Sequence, residues 1–217
     1  MPIIDIAMKR YAAKSFDPAK TIPEDVFAKI KQLLRASPSS VNIQSWHFFV
    51  AKSEEAKQRM AKSTEKDYAF NTPKILDASC VVLFCTKTNV DTTYTNRILE
   101  QETLDGRYAL EEHKAMMAGA RDFFVNYHEN VLKDLPQWLK NQTFINLGSF
   151  LLGVAALGLD AVPMEGMDFA ILDHEFLLTE QGLEPIAMVA LGYHTEDDFN
   201  ANLAKSRLPE EEIITEI

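Results

Sequence analysis

Hydrophobic positions along this chain change period several times, and each change marks an element. From Phe144 to Leu159 the residues are apolar on nearly every face, interrupted only by Asn146 and Ser149. Such a run predicts a helix buried on all sides, opened by Pro136. One chain of 217 residues rarely offers a slot of that kind. Gly148, Gly153 and Gly158 each cost about 1 kcal/mol against alanine inside a helix, a cost offset where another backbone passes close by. The run therefore predicts a helix packed between two subunits. The alternative, a membrane span, needs about 20 clean apolar residues, and this run is shorter, rich in glycine and closed by Asp160. After it, Asp160 to Met164 reads as a short strand and Glu165-Gly166 as a turn.

Elsewhere the periods are simpler. Residues 3 to 12 repeat at helical spacing, with Lys9 and Arg10 in a last turn where cations suit the helix dipole. Thr21 and Glu24 make a capping box for a helix that runs to about Ala36, with Val26, Ile30, Leu33 and Leu34 on one face. SPSSVNIQSW, from Ser37, is an exposed loop rich in hydrogen-bond donors, and Trp46 to Lys52 is a strand. A charged helix follows over 54 to 64, then a loop carrying Tyr68 and Phe70, then a short helix started by Pro73. Val81 to Phe84 and Pro185 to Tyr193 read as buried strands, and 91 to 132 as charged helix. Near the end of that helix one of Phe123, Phe124 and Tyr127 faces the body, and the adjacent phenylalanines cannot share a face. Asp168 caps a helix over 169 to 180 that ends at Gly182. Ile213 to Ile217 resumes a strand pattern with no partner nearby in sequence, which predicts a strand that crosses to another subunit.

Composition narrows the class. Hydrophobic residues at 47% and charged residues at 25% fit a single globular domain over 1–217, without repeats or low complexity. Twenty-two Lys and Arg against 32 Asp and Glu leave a formal charge of −10, which argues against nucleic acid and anionic membrane as partners. An anionic ligand then needs a local basic site, effective within a Debye length of about 8 Å. Cys80 and Cys85 sit five apart on one strand and face opposite sides, so they cannot pair with each other. The first residues hold too short an apolar run for a signal peptide, and Asp5 argues against a transit peptide, so the expected location is cytoplasmic.

Candidate chemistry is first a matter of what is missing. No G-x-G-x-x-G follows a strand, and P-loop, H-E-x-x-H, EF-hand and G-x-S-x-G patterns are also lacking. The five histidines show no metal-ligand spacing, so no metal is expected. What remains is a set of short pieces in order: RYAAK from Arg10, SPSSVNIQSW from Ser37, FNTPK from Phe70, GVAALGLDAVPMEG from Gly153, and Lys205-Ser206-Arg207. Together they resemble the oxygen-insensitive NAD(P)H nitroreductases, from end to end of the chain.

That resemblance implies an α+β fold: a central mixed, mostly antiparallel sheet flanked by helices, in an intertwined homodimer whose C-terminal strand is exchanged. It implies tightly but non-covalently bound FMN at the subunit interface. Hydride passes in two ping-pong steps, from NAD(P)H to the flavin and then to nitroaromatics or quinones, with dihydropteridines as a further class. No side chain is implied as a catalytic acid or base. By resemblance, Arg10, Lys205 and Arg207 bind the flavin phosphate, with Ser39 from the partner chain. Lys14 and Lys74 lie by the pyrimidine edge, where reduction places negative charge, and a charge at about 4 Å is worth about 4 kcal/mol at an effective dielectric of 20. Asn71 bonds the ring's polar edge, and Tyr11, Ala12, Pro38, Ser40, Asn42, Gln142, Pro163 and Met164 complete the cofactor shell. Glu165-Gly166 presents a backbone N–H to flavin N5, with glycine allowing close approach. Val41, Tyr68, Phe70, Phe123 and Phe124 wall the substrate side, and Arg107 is a candidate for the nucleotide phosphates, with a helix-surface ion pair as its alternative reading.

The chain departs from the family pattern at four positions. Tyr11-Ala12 replaces a histidine-serine pair, removing one hydroxyl contact; Ser45 replaces proline; Val41 replaces a common threonine and makes the acceptor pocket more apolar. Two other readings stay open: an NAD(P)H flavin reductase, and a non-enzymatic flavin-binding sensor dimer.

Overall fold

The apolar runs assemble into a four-stranded sheet in the order β1-β2-β4-β3, formed by β1 (Trp46–Ala51), β2 (Cys80–Lys87), β3 (Asp160–Met164) and β4 (Leu183–Gly192). This computed structural model describes residues 2–217. Every neighbouring pair is antiparallel, with Phe48 opposite Phe84, Val82 opposite Val189 and Val162 opposite Ala190. The parallel component is one isolated bridge, Ala12 to Ala161.

Alternation along β2 sends Val81, Leu83 and Cys85 to one side of the sheet, and Cys80, Val82 and Phe84 to the other. The first side is covered by Met60 of α3 (Glu54–Ala61), Ile75 of α4 (Thr72–Leu76) and Leu172 of α8 (Phe169–Phe176). On the second lie Phe27, Ile30 and Leu34 of α2 (Glu24–Arg35), with Leu147, Phe150 and Val154 of α7 (Leu135–Ala156). Both cysteines are free and buried on opposite faces, as their spacing requires, and burial pushes each thiol up to about 12. Asp168 caps α8 by accepting from the N–H groups of Ala170 and Ile171, as expected.

Several predicted boundaries move for identifiable reasons. Helix α1 (Ile3–Lys9) stops before Arg10, whose ψ of 141° starts an extended run. That run is held on the sheet edge by the Ala13 N–H, which donates to the Ala161 carbonyl at 3.1 Å. The Thr21 capping box does not form. Instead Ile22 N–H donates to Ser79 Oγ at 2.7 Å, and α2 begins after Pro23 with no side-chain cap. The helical stretch over 91–132 is broken between α5 (Thr92–Leu104) and α6 (Glu111–Asn126), where Gly106 takes φ 71°. A π-helical turn, Tyr127–Leu132, ends α6, and Lys133 leaves it in a left-handed conformation. At the C-terminus the predicted strand is absent from the single chain: α9 (Glu210–Ile213) is one turn, and Ile214 is extended without a ladder partner among the described residues.

Helix α7 is one-sided rather than buried all round. Trp138, Leu139, Gln142, Asn146, Phe150 and Val154 face inward, and the Asn146 amide donates to the Leu34 carbonyl at 2.8 Å. Phe144 and Ile145 remain 39% and 47% exposed. The three glycines differ in their surroundings. Gly153 lets α2 approach, since a Cβ there would lie 2.8 Å from Leu33 Cδ2; Gly148 meets nothing within 4 Å; Gly158 turns the chain out of the helix at φ 78°. Among the described residues no helix is long and apolar enough to cross a membrane.

Because Gly158 occupies the left-handed region at the helix C-terminus, Gly158→Ala is expected to lower stability by about 1 kcal/mol. Urea denaturation of the two proteins checks this; an unchanged midpoint would show that the turn tolerates a side chain.

Candidate active site

The extended run after α1 packs Tyr11, Ala12 and Ala13 against one core. Ala13 is fully buried and Tyr11 lies against the same core, its ring 6.0 Å from that of His194. The Tyr11 hydroxyl is buried without a partner, and burial, then Asp160 and Asp198, raise its pKa. Tyr11 thus lines a cavity of about 570 Å³ between α1, α7 and β3, together with Leu151, Ala155 and His194. Ala12 contributes its carbonyl, which accepts from the Asn200 amide at 2.8 Å, and Lys14 N–H donates to Asp198 at 2.8 Å.

Two groups of cations flank this run. Lys205 donates from Nζ to the Arg10 carbonyl, and burial first, then the Arg10 and Arg207 charges, hold its pKa below 10.5. Arg207 is exposed beside it and donates to the Ser206 carbonyl. In the second group, burial and then the Lys14 charge hold Lys74 below 10.5. The Lys74 ammonium donates to Asn71 Oδ1 at 2.8 Å and sits 5.2 Å from the Phe70 ring centre. Asn71 is turned by this contact to donate from Nδ2 to the Gly166 carbonyl at 2.9 Å. The Lys74 contacts are local, three and four residues apart, but the last is not: Asn71 and Gly166 come from a 3₁₀ turn before α4 and from the loop after β3.

Gly166 carries no positive φ. Its need for glycine is lateral, because a Cβ would stand 2.9 Å from Asn71 Nδ2 and 3.2 Å from Tyr68 Cδ1. Just before it, Pro163 and Met164 end β3, Met164 pointing into the core, and Glu165 is exposed. Phe70 is exposed and Tyr68 half-buried.

The remaining predicted residues form a separate set. Loop 38–44 begins with exposed Pro38, and the Ser40 N–H donates to Gln142 Oε1 on α7 at 2.9 Å. Ser39 Oγ accepts from Gln44 N–H, and the hydroxyl of buried Ser45, where the family pattern has proline, donates to the Leu139 carbonyl at 2.8 Å. Val41, Asn42 and Gln44 all have positive φ, at 45°, 54° and 47°. Arg121 and Glu102 hold this turn, through Val41 O and Asn42 Nδ2. Sequence reasoning missed both residues; they stand among charged helix positions with nothing in their spacing to mark burial. Arg121, and not one of the aromatics, is the buried residue of α6. Phe123 and Phe124 are both open, 60% and 39% exposed, edge to face with centroids 5.3 Å apart. Arg107 lies in the loop after α5, with Nε 3.8 Å from Oε1 of buried Glu102. Among the described residues no side-chain hydrogen bond joins this set to the cation groups.

A site of this composition, cations at one end, an amide-lined glycine turn at its centre and open aromatic walls nearby, suits an anionic planar ligand. Known proteins agree with it over the whole chain. The model of the nitroreductase family matches residues 7–193. The chain is 50% identical over 217 residues to the oxygen-insensitive NAD(P)H nitroreductase of Salmonella typhimurium, covering 100% of both chains. It is 35% identical over 215 residues to the major NAD(P)H-flavin oxidoreductase of Aliivibrio fischeri, covering 99% of this chain and 98% of that one. In fold, a crystal structure from Exiguobacterium sibiricum, in complex with FMN, superposes with a TM-score of 0.83 at 21% identity, covering 100% of this chain and 98% of the other. Full-length identity at one half, the family match and the shared α+β architecture lead to one statement: this chain belongs to the nitroreductase family.

Proposed function

We propose that the protein is an FMN-dependent NAD(P)H nitroreductase, working as a homodimer with a flavin between its subunits. The observation that carries this reading is the crowding of like charge. Lys205 beside Arg10 and Arg207, and Lys74 beside Lys14, are cation groups whose protonation burial and mutual repulsion disfavour. A phosphate at the first group and an electron-rich ring edge at the second would relieve that repulsion, which is the fit that FMN requires. FMN supplies hydride acceptance and donation at one atom of its ring. The chain's own tasks are then to bind, to orient and to exclude.

Arg10, Lys205 and Arg207 would hold the phosphate. Lys14 and Lys74 would stabilise negative charge on the ring, and Asn71, pinned between Lys74 and Gly166, would fix the polar edge. The Glu165-Gly166 turn would face the reacting atom. Ser39, Ser40, Asn42 and Gln142 would come from the second subunit, a division supported by the lack of contact between the two sets within one chain. Dimerisation is also supported by the open apolar side of α7, with Phe144, Ile145 and the unobstructed Gly148, and by β1, an edge strand with Val50 partly exposed. The tail that turns extended at Ile214 and carries the exposed Ile213, Ile214 and Ile217 suits that edge in a neighbouring subunit. Val41, Tyr68, Phe70, Phe123 and Phe124 would form walls between which NAD(P)H and then an aromatic acceptor stack in turn.

A second reading, reduction of free flavin, is supported by the identity to the Aliivibrio fischeri enzyme. Purified protein with FMN should sediment as a dimer, bleach on adding NAD(P)H and recover its yellow colour with a nitrofuran or quinone. Recovery with free FMN alone favours the second reading. A yellow protein that NAD(P)H does not bleach would be a sensor, and one that takes up no FMN rules out all three.

Two outcomes follow from the cation groups. Loss of one charge-assisted hydrogen bond costs about 1.5–3 kcal/mol, so Arg207→Ala should weaken FMN binding about 10- to 100-fold, while Lys52→Ala leaves it unchanged. Fluorescence titration measures both, and equal effects reject the phosphate role. The second concerns pH. Lys74 has a depressed pKa without ligand, and a bound anion raises it, so binding takes up a proton between the two values. FMN affinity should therefore fall as pH rises through the depressed pKa of Lys74, and Lys14→Met, which removes the repulsion, should shift this fall to higher pH. An identical profile in the variant would remove Lys14 and Lys74 from the site.

A further inference from the structure

Helices α5 and α6 are joined by a buried ion pair outside the proposed flavin contacts. Arg121 is 1% exposed and Glu102 4%, and Arg121 Nη2 lies 2.9 Å from each carboxylate oxygen. Each partner also sends one bond to the same turn. Arg121 Nε donates to the Val41 carbonyl at 3.1 Å, and Glu102 Oε1 accepts from Asn42 Nδ2 at 2.7 Å. The Tyr108 hydroxyl donates to the second carboxylate oxygen.

The turn held in this way is one the backbone would not choose. Val41 is β-branched and sits at φ 45°, in a region such residues avoid, and Asn42 follows at φ 54°. Strain of this kind persists where surrounding contacts over-determine it. On the other side of the pair, Phe123 and Phe124 follow Arg121 by two and three residues on the same helix. A buried ion pair is a poor source of stability, since an apolar pair of the same shape does as well; what it supplies is a directed geometry.

We propose that Glu102 and Arg121 are positioning residues that set the distance between Val41 and Phe124, and through it which acceptors fit. The proposal rests on reading Val41 and Phe124 as walls of the acceptor pocket. Neither ion-pair partner needs to touch acceptor or flavin. The pair acts by holding the strained turn and the aromatic helix as one piece, so loosening it lets the two walls part, which takes more contact from a larger acceptor that spans both walls than from a small one.

The test uses FMN-loaded dimer of the unaltered protein, Glu102→Gln, Arg121→Lys and Phe124→Ala, with a small quinone and a nitrofuran as acceptors. Glu102→Gln keeps the shape and loses the charge. Arg121→Lys keeps the charge and loses the bond to Val41. In both, FMN content should stay as it was, and whatever change NAD(P)H bleaching shows is common to both acceptors, while the nitrofuran KM rises about tenfold relative to the quinone KM, the scale of one misfitted group in a pocket. Phe124→Ala should move the same ratio. Should Glu102→Gln not fold, Arg121→Lys and Tyr108→Phe carry the test, the latter moving the ratio about twofold in the same direction. If Phe124→Ala moves the ratio and the ion-pair variants do not, or if they lower kcat equally for all acceptors, the proposal is overturned and the pocket reading stands. If Phe124→Ala also leaves it unmoved, the pocket reading fails and takes the proposal with it.

Discussion

The backbone pairing of residues 12 and 13 with Ala161 is the contact on which the site's arrangement depends. By ending α1 at Lys9 and laying the next residues along the exposed edge of β3, it converts a helical sequence pattern into an extended run. Tyr11, Ala12 and Ala13 pack on the core, and Arg10 and Lys14 stand at the two ends of that anchored run. Arg10 thereby reaches Lys205 from the tail, and Lys14 reaches Lys74 from α4. Had the helix continued, Arg10 and Lys14 would stand about 6 Å apart on one face, whereas the extended run spaces them about 13 Å apart, one toward each cation group.

Around this run the protein accepts costs that serve geometry. Like charges are held together, a valine and an asparagine take left-handed conformations, and a carboxylate and a guanidinium are buried between helices. Charges so placed lose hydration, and their value lies in the fixed directions of their hydrogen bonds. Burial works against the charged form of Glu102, while its bonds from Tyr108, Asn42 and Arg121 win and hold its pKa below the usual carboxylate value. The stability that supports these features comes from the sheet, whose strands β2 and β4 are covered by apolar layers on both faces.

Much of this was legible from residue types. The continuous apolar runs of β2 and β4 read as buried strands, and parity alone put Cys80 and Cys85 on opposite faces. The five short pieces, read together, led to the family and to most of the residues now found in two compact sets. The sequence also indicated that the long apolar helix wants more cover than one chain supplies, and the single chain leaves Phe144 and Ile145 open.

Other features were beyond reach because they depend on what lies across the fold. Whether Thr21 caps a helix depends on Ser79, which takes hold of Ile22 from 57 residues away. The burial of Arg121 depends on Glu102 and on the Val41 carbonyl, and a helical arginine beside an aspartate looks in sequence like any solvated charge. Gly166 looks like a turn glycine, yet its φ is ordinary and its constraint comes sideways from Asn71 and Tyr68. Periodicity and local chemistry thus determined the four strands and most of the helices, since both are properties of neighbours along the chain, and the resemblance of five short pieces led to the family. Tertiary structure decided where α1 stops, which charges meet and which turn is strained, since those follow from hydrogen bonds and burial between residues far apart in sequence.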